Sequence, residues 1–236
     1  MNVLIVYAHE EPHSFNAAMK NVAVETLEDQ EHTVEVSDLY RMRFKAVADG
    51  SDFLERRDRN YLKRQLEEQI AGKLGTLAGD IVAEQQKVMA ARLVILQFPL
   101  WWFSMPAILK GWVDRVLTMG FAYGSGKWYD QGCLRGRRAM LALTTGGPEA
   151  GYLERGINGP MDRILYPIHH GILYFCGFQV LPPFVAWNPA KASPQDRQLT
   201  LDRYRRRLQD LDSLRPLPFH PLDHYGEGMQ LKPDFT

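Results

Sequence analysis

The sequence predicts an α/β protein built on a doubly wound, five-stranded parallel sheet, and two observations carry that prediction. Residues 3–8 and 93–98 are apolar runs rather than alternating patterns, as strands covered by helices on both faces read. Such runs also alternate along the chain with helical patterns, and each parallel return needs a crossover.

Strand one, residues 3–8, leads into a helix that Ser14 can cap, with Phe15, Ala18, Met19, Val22, Ala23 and Leu27 on its apolar face. Residues 33–36 read as a short second strand. Asp80 is expected to cap a helix over 81–90, and residues 93–98 form the third strand. Pro106 opens a helix carrying Ile108/Leu109, Trp112/Val113 and Val116/Leu117 on one stripe, and Gly120 is expected to stop it. A fourth strand over 138–145, a largely apolar helix over 160–176, a fifth strand over 179–187 and a closing helix over 194–211 complete the pattern. A strand order of 2-1-3-4-5 is the working arrangement.

Two stretches fall outside the alternation. Residues 41–79, with FLERRDRNYLKRQLEEQ, read as charged helices on the surface. Residues 213–236 contain Pro216, Pro218, Pro221 and Pro233, which oppose a helix or a central strand. That tail is read as an ordered arm packing on the body or on a partner subunit. With no internal repeat or low-complexity linker, the expectation is one domain over 1–212 with a C-terminal extension over 213–236.

The 236 residues suffice for one substantial core, and 28 basic side chains balance 28 acidic ones, so nothing recruits nucleic acid or an anionic membrane. Cys133 and Cys176 lack CxxC spacing, and Cys176 follows Ile172-Leu173-Tyr174-Phe175, which suits a buried thiol in a reducing compartment. The N-terminus has no basic n-region, and no segment approaches the ~20 apolar residues that span a bilayer. A soluble cytoplasmic protein is expected.

In an open parallel sheet, ligands sit outside the carboxyl ends of the strands. After strand one stands His9-Glu10-Glu11-Pro12-His13-Ser14-Phe15-Asn16, which delivers a helix N-terminus suited to phosphate, although Ser14 reads equally as a plain cap. After strand three comes Leu100-Trp101-Trp102-Phe103, four large residues where a polar loop is usual; they either receive a flat ligand or cap the core. After strand four, Thr144-Thr145-Gly146-Gly147 lets backbone amides approach a planar ring, and is also ordinary turn chemistry. Taken together the three loops describe a flat, phosphate-bearing ligand. No GxGxxG, P-loop, nucleophile elbow or metal-ligand cluster competes. His169 and His170 are neighbours in an apolar helix and read as satisfied or surface histidines.

At this point the chain resembles the NAD(P)H:quinone oxidoreductase family, the DT-diaphorase-like flavoproteins, over nearly its whole length. The strings SFNAAMK, SDLYRM, DIVAEQQK, QFPLWWFSMPAILKGWVDRV, LTTGG and ILYFCGFQVL carry the resemblance. It implies a flavodoxin-like fold and a homodimer with active sites at the subunit interface. It also implies FAD, with FMN less expected, and ping-pong hydride transfer from NADH or NADPH to a quinone. By similarity, His9, Ser14, Phe15 and Asn16 would hold the phosphates and ribityl side, while Leu100, Trp101, Trp102, Phe103, Thr144, Thr145, Gly146 and Gly147 would hold the isoalloxazine. Tyr152 would steady the reduced ring. Phe103, Tyr123 and Phe175 would line the pocket shared by donor and acceptor, with Tyr123 coming from the partner subunit.

Three departures from the family pattern matter. Asn158 stands where one branch has a charge-accepting His, and a second branch, which prefers small dihydronicotinamide donors, also has Asn. Tyr174 and Phe219 stand at two places of that branch's metal site, of which only His170 matches, so no metal is expected. Ser125 replaces a second pocket tyrosine. An accessory regulator of a potassium-efflux transporter that keeps oxidoreductase activity is the alternative the resemblance offers.

Overall fold

The computed structural model describes residues 1–235. Strand β1 (Asn2–Tyr7) buries every residue but its first, because it lies inside a sheet covered on both faces. Its neighbours are β2 (Thr33–Asp38) and β3 (Leu93–Pro99), and β3 pairs in turn with β4 (Arg138–Thr144). The order is β2-β1-β3-β4-β5, with every pairing parallel. β3 is buried at all seven positions, whereas β2, at the edge, alternates between exposed and half-buried positions over much of its length.

Alternate residues of each strand enter opposite cores, as the two-residue period of a strand requires. Val3, Ile5, Leu93 and Ile95 pack with Met19, Ala23 and Leu27 of α1 (Phe15–Asp29) and with Tyr204 and Leu208 of α6 (Pro194–Gln209). Leu4, Val6, Val94 and Leu96 pack on the other face. There they meet Val88 of α3 (Gly79–Ala90), Leu109, Trp112 and Val116 of α4 (Ala107–Val116), and Leu165 of α5 (Met161–Ile168). The remaining helix, α2 (Arg64–Leu74), ends at Gly75, whose φ of +71° is the left-handed stop glycine favours.

Several expectations are corrected in detail. Residues 179–187 form two short strands, β5 (Gln179–Val180) and β6 (Phe184–Ala186), both paired to β4. Pro182 and Pro183 between them have no N–H to give a ladder. The helix over 160–176 is α5 followed by a π-helical turn, His169–Tyr174, and Pro167 inside α5 removes a backbone donor just before the register widens. α4 ends at Val116, and Gly120, at φ +92°, shapes the turn beyond it instead of stopping the helix.

Asp80 does not cap α3. It lies within the first turn, where its carboxylate receives the Arg115 guanidinium at 2.6 Å. That contact belongs to a correction within residues 41–79. Asp49, Glu55 and Asp58 are exposed, as a charged surface segment should be, but Asp52, Glu67 and Glu68 are buried. Arg115 of α4, itself 1% exposed, donates to Asp52 at 2.9 Å and to the Lys45 carbonyl at 2.9 Å, and Arg64 bridges Asp52 and Glu68, both at 2.9 Å. Buried charges persist only when paired, so the charge density of this segment is its packing code. Gly111 makes the approach feasible, because any Cβ there would overlap the Ala46 backbone.

The C-terminal arm lies on the body. Leu217 donates to the Val180 carbonyl at 2.7 Å, Leu222 to Asp130 at 2.8 Å, and the Tyr174 hydroxyl to the His220 carbonyl at 3.1 Å. Phe219 enters a ring cluster with Tyr166, His170 and Tyr174. No helix of the described residues is long and apolar enough to cross a membrane.

Removing Arg115 should therefore be costly. Arg115→Ala is expected to lower stability by about 3–5 kcal/mol in urea unfolding, the usual cost of stranding a buried ion-pair partner. Burial alone would raise the Asp52 carboxyl, but hydrogen bonds from Arg64, Lys45 and Arg115 outweigh it and hold the group below the ordinary carboxylate range. Its stabilising share is then complete above the unfolded value of about 4 and lost as pH falls through the lower folded one. The urea midpoint of Asp52→Asn should fall less steeply in acid than that of the unaltered chain.

Candidate functional site

The carboxyl ends of β1, β3 and β4 are neighbours in the sheet, so the three loops that follow them share one edge. In the first, Ser14 caps α1, its Oγ accepting the Ala17 amide at 3.1 Å. The cap reading of Ser14 is thus correct. The amides of Phe15 and Asn16, in the first turn of α1, have no partner within the helix and none elsewhere among the described residues. Before the cap, the His9 Nδ1 accepts the Glu11 amide at 3.0 Å and the Glu11 carboxylate accepts the His13 amide at 2.7 Å, which orders the loop. The His9 ring lies 6.2 Å from that of Trp101, joining the first loop to the second.

Asn16 is placed differently from the others. Its side chain is buried and turned into the sheet edge, where Nδ2 donates to the Thr144 hydroxyl at 2.7 Å. Its main-chain oxygen accepts from Gln97 Nε2 at 2.6 Å, and its Oδ1 is buried without a protein partner.

The second loop is a tight turn. Trp101 and Ser104 exchange backbone hydrogen bonds of 3.0 and 2.9 Å around Trp102 and Phe103, which stand at φ +50° and +58°. A turn with two left-handed central residues ordinarily takes Asn-Gly, and bulky side chains there are strained by roughly 1–2 kcal/mol each. Trp102 is nevertheless 96% exposed and Phe103 51%, and neither amide has an acceptor among the described residues. Strain of this kind, carrying aromatic rings into solvent, marks a functional loop. The alternative that these rings cap the core is excluded for Trp102 by its exposure.

In the third loop the Thr145 hydroxyl donates to the Gly147 carbonyl at 2.8 Å, while the Gly146 and Gly147 amides have no partner among the described residues. Tyr152 packs behind them: a Cβ on Gly147 would sit 3.2 Å from its ring. The ring also lies 5.4 Å from that of Trp187, just beyond β6. Asn158 joins the same loop through its amide to the Gly151 carbonyl at 3.0 Å. Sequence reasoning passed over Trp187 and Gln97. An aromatic residue just after the last strand was the available signal for the first; the second is hidden in an apolar run.

Tyr123 and Phe175 lie elsewhere. Their rings are 5.3 Å apart on the wall of a cavity of about 560 Å³ that takes no residue from the three loops. Its other walls include Arg64, Gln65, Glu68 and Asp114. Phe103, expected to share a pocket with Phe175 and with Tyr123 of a partner subunit, does not line this cavity.

His169 is neither satisfied nor on the surface. It is 3% exposed, its Nε2 has no protein partner, and burial pushes its pKa down to about 4, so it is neutral. His170 instead stacks on Tyr166 at 4.8 Å. Among the described residues no group of three or more metal-ligating side chains occurs.

The donor set fits a flavin nucleotide. Two free amides at a helix N-terminus suit a phosphate, four more on the flanking loops suit the carbonyl and nitrogen edge of a flat ring, and the buried Asn16 Oδ1 lacks only a donor such as a hydroxyl. The strain in the second loop is directly measurable. Trp102→Asn, with a residue that tolerates the left-handed region, should raise stability by about 1 kcal/mol, or roughly 2–4 °C in thermal midpoint.

Comparison with known proteins agrees with this geometry. The family model for a flavodoxin-like fold matches residues 1–210. Human ribosyldihydronicotinamide dehydrogenase [quinone] is 46% identical over 226 residues, covering 95% of this chain and 98% of that protein. Rat NAD(P)H dehydrogenase [quinone] 1 is 45% identical over 228 residues, 96% of this chain and 83% of that one. The crystal structure of a proposed quinone reductase from Klebsiella pneumoniae superposes with a TM-score of 0.95 at 44% identity, covering 99% of this chain and 95% of the other. More remote are the potassium-efflux ancillary protein KefF of Enterobacter, 36% identical over 56% of this chain and 71% of its own, and general stress protein 14 of Treponema denticola in complex with FMN. The latter has a TM-score of 0.64 at 26% identity, covering 89% of this chain and 99% of that one. The chain belongs to the flavodoxin-like fold family and, within it, to the NAD(P)H:quinone oxidoreductases.

Proposed function

We propose that this chain is an FAD-dependent quinone reductase, working in the cytoplasm as a homodimer, that moves a hydride from a reduced nicotinamide to a quinone. The observation that carries the reading is the set of unpartnered amides on three adjacent strand ends. The flavin, when bound, supplies the hydride carriage. What the protein contributes is position and charge compensation.

The amides of Phe15 and Asn16 would take the phosphates at the positive end of α1, beside His9 and the Ser14 cap. Leu100 and the Trp101-Trp102-Phe103 turn would hold one edge of the ring, and Thr144, Thr145, Gly146 and Gly147 the other. Negative charge that develops on the ring would meet the amides of Gly146 and Gly147 and the Tyr152 hydroxyl. Trp187 behind Tyr152 would keep that hydroxyl in place. Asn158 can donate a hydrogen bond there but cannot become a cation, so it accepts no proton.

The stacking residues require a second copy. Phe103 belongs to the strand-end loops, while Tyr123 and Phe175 line a separate cavity of the same chain. A partner subunit docked over the exposed Trp102 and Ile157, each 96% exposed, would bring its own Tyr123 and Phe175 to face Phe103. Donor and acceptor would then occupy that pocket in turn, which is the structural condition for a ping-pong reaction. FAD is the flavin that the family resemblance implies. The remote FMN-bound neighbour makes cofactor identification by mass a necessary check.

The potassium-efflux reading rests on the KefF likeness over 56% of this chain. It predicts oxidoreductase activity as well, with residues 214–236 as the docking element.

Purified protein should be yellow, and a reduced nicotinamide should bleach it; a colourless chain that takes up neither FAD nor FMN overturns the proposal. Stopped-flow bleaching by NADH, NADPH and a ribosyl-only dihydronicotinamide identifies the donor. If Asn158 marks the small-donor branch, the last reacts fastest. Tyr152→Phe should slow bleaching by about 10-fold, the scale of one hydrogen bond to a developing charge, with flavin content unchanged. Equal rates would remove Tyr152 from the reaction.

A further inference from the structure

We infer that Gln65, on the charged helix α2, is a positioning residue for the acceptor pocket, acting through the hydroxyl of Tyr123. The inference rests on the quinone-reductase reading above and gives a role to residues 41–79, which that reading leaves unused.

α2 grips the loop after α4 at two points. Gln65 Nε2 donates to the Tyr123 hydroxyl at 3.2 Å. One turn on, the buried Glu68 accepts the Met119 amide on Oε2 at 2.9 Å. Residues three apart on a helix share a face, so both contacts come from one side of α2. Between them the loop is closed on itself, the Gly120 amide donating to the Tyr123 carbonyl at 2.7 Å. The Glu68 contact fixes the base of the loop, and the Gln65 contact fixes the tip of the ring that packs beside Phe175 on the cavity wall.

The grip holds only as firmly as α2 itself. Arg64 ties the helix to Asp52 and to Glu68, each at 2.9 Å, and Asp52 is in turn held by Arg115 at 2.9 Å. The ion-pair lattice of residues 41–79 thus runs from the buried face of α4 to an aromatic side chain that stacks on substrate. A tyrosine ring has two side-chain torsions to settle. Its backbone is set by the loop, and the Gln65 contact removes the freedom left at the hydroxyl end.

Gln65 is exposed apart from this contact, so replacing it leaves the core intact. Gln65→Leu should raise the KM for a neutral quinone about three- to tenfold, the range of one net hydrogen bond. Its kcat should stay within about twofold, since stacking contributes equally to ground and transition states. Flavin content and thermal midpoint should match the unaltered enzyme. The decisive measurement is a double-mutant cycle with Tyr123→Phe. If Gln65 acts through the hydroxyl, Gln65→Leu has no further effect once that hydroxyl is gone. An unchanged KM in the single variant, or full additivity in the double variant, overturns the inference while quinone turnover by the unaltered enzyme upholds the parent reading. No turnover by the flavin-loaded unaltered enzyme overturns both.

Discussion

The buried hydrogen bond from Asn16 to Thr144, 2.7 Å long, is the contact on which the candidate site depends. It ties the first turn of α1 to the end of β4, and the Asn16 carbonyl receives Gln97 of β3 from the strand between them. Tyr204 of α6 approaches Gln97 Oε1 from behind at 3.5 Å. One small polar cluster in an apolar sheet thus sets the relative height of two strand ends, those of β3 and β4, and of the first turn of α1. A buried polar group without a partner costs about 1–3 kcal/mol. The alternatives to this register are therefore penalised by the same groups that hold it, and the loops beyond the strands inherit a fixed spacing.

From that register the rest follows in order. α1 presents its free amides at one end of the cleft, the Trp101–Ser104 turn holds aromatic rings outward, and the glycine pair keeps the opposite wall thin enough for a ring to reach backbone. Stability is not maximised in these loops: two non-glycine residues sit in the left-handed region and an acceptor is left buried and unpaired. The sheet and the Arg115 lattice are rigid enough to carry both.

The architecture was legible because continuous apolar runs and crossover helices admit few other arrangements. The three loops were legible because an open parallel sheet leaves one edge for a ligand. Where local pattern failed, long-range contacts had overruled it. Asp52 looks solvated when residues 41–79 are read as a string of charges, and only the position of Arg115, sixty-three residues away, reveals that it pairs inward. Asp80 has a capping residue's chemistry, yet the same arginine claims it. The side-chain amide of Asn16 is committed to Thr144, 128 positions away, which no local pattern shows. Tyr123 and Phe175 are neighbours within one chain on a cavity that takes no residue from the Phe103 loop, and no local pattern shows that.

The divided last strand has a consequence for the molecule among its copies. β5 and β6 form one rim of the sheet, and the stretch between them, with Pro182 and Pro183, offers no amide hydrogens to a foreign strand. An uninterrupted strand there would be a template on which other chains could polymerise. The break keeps this rim from propagating, and leaves β2 as the rim of the sheet that still carries an unbroken strand.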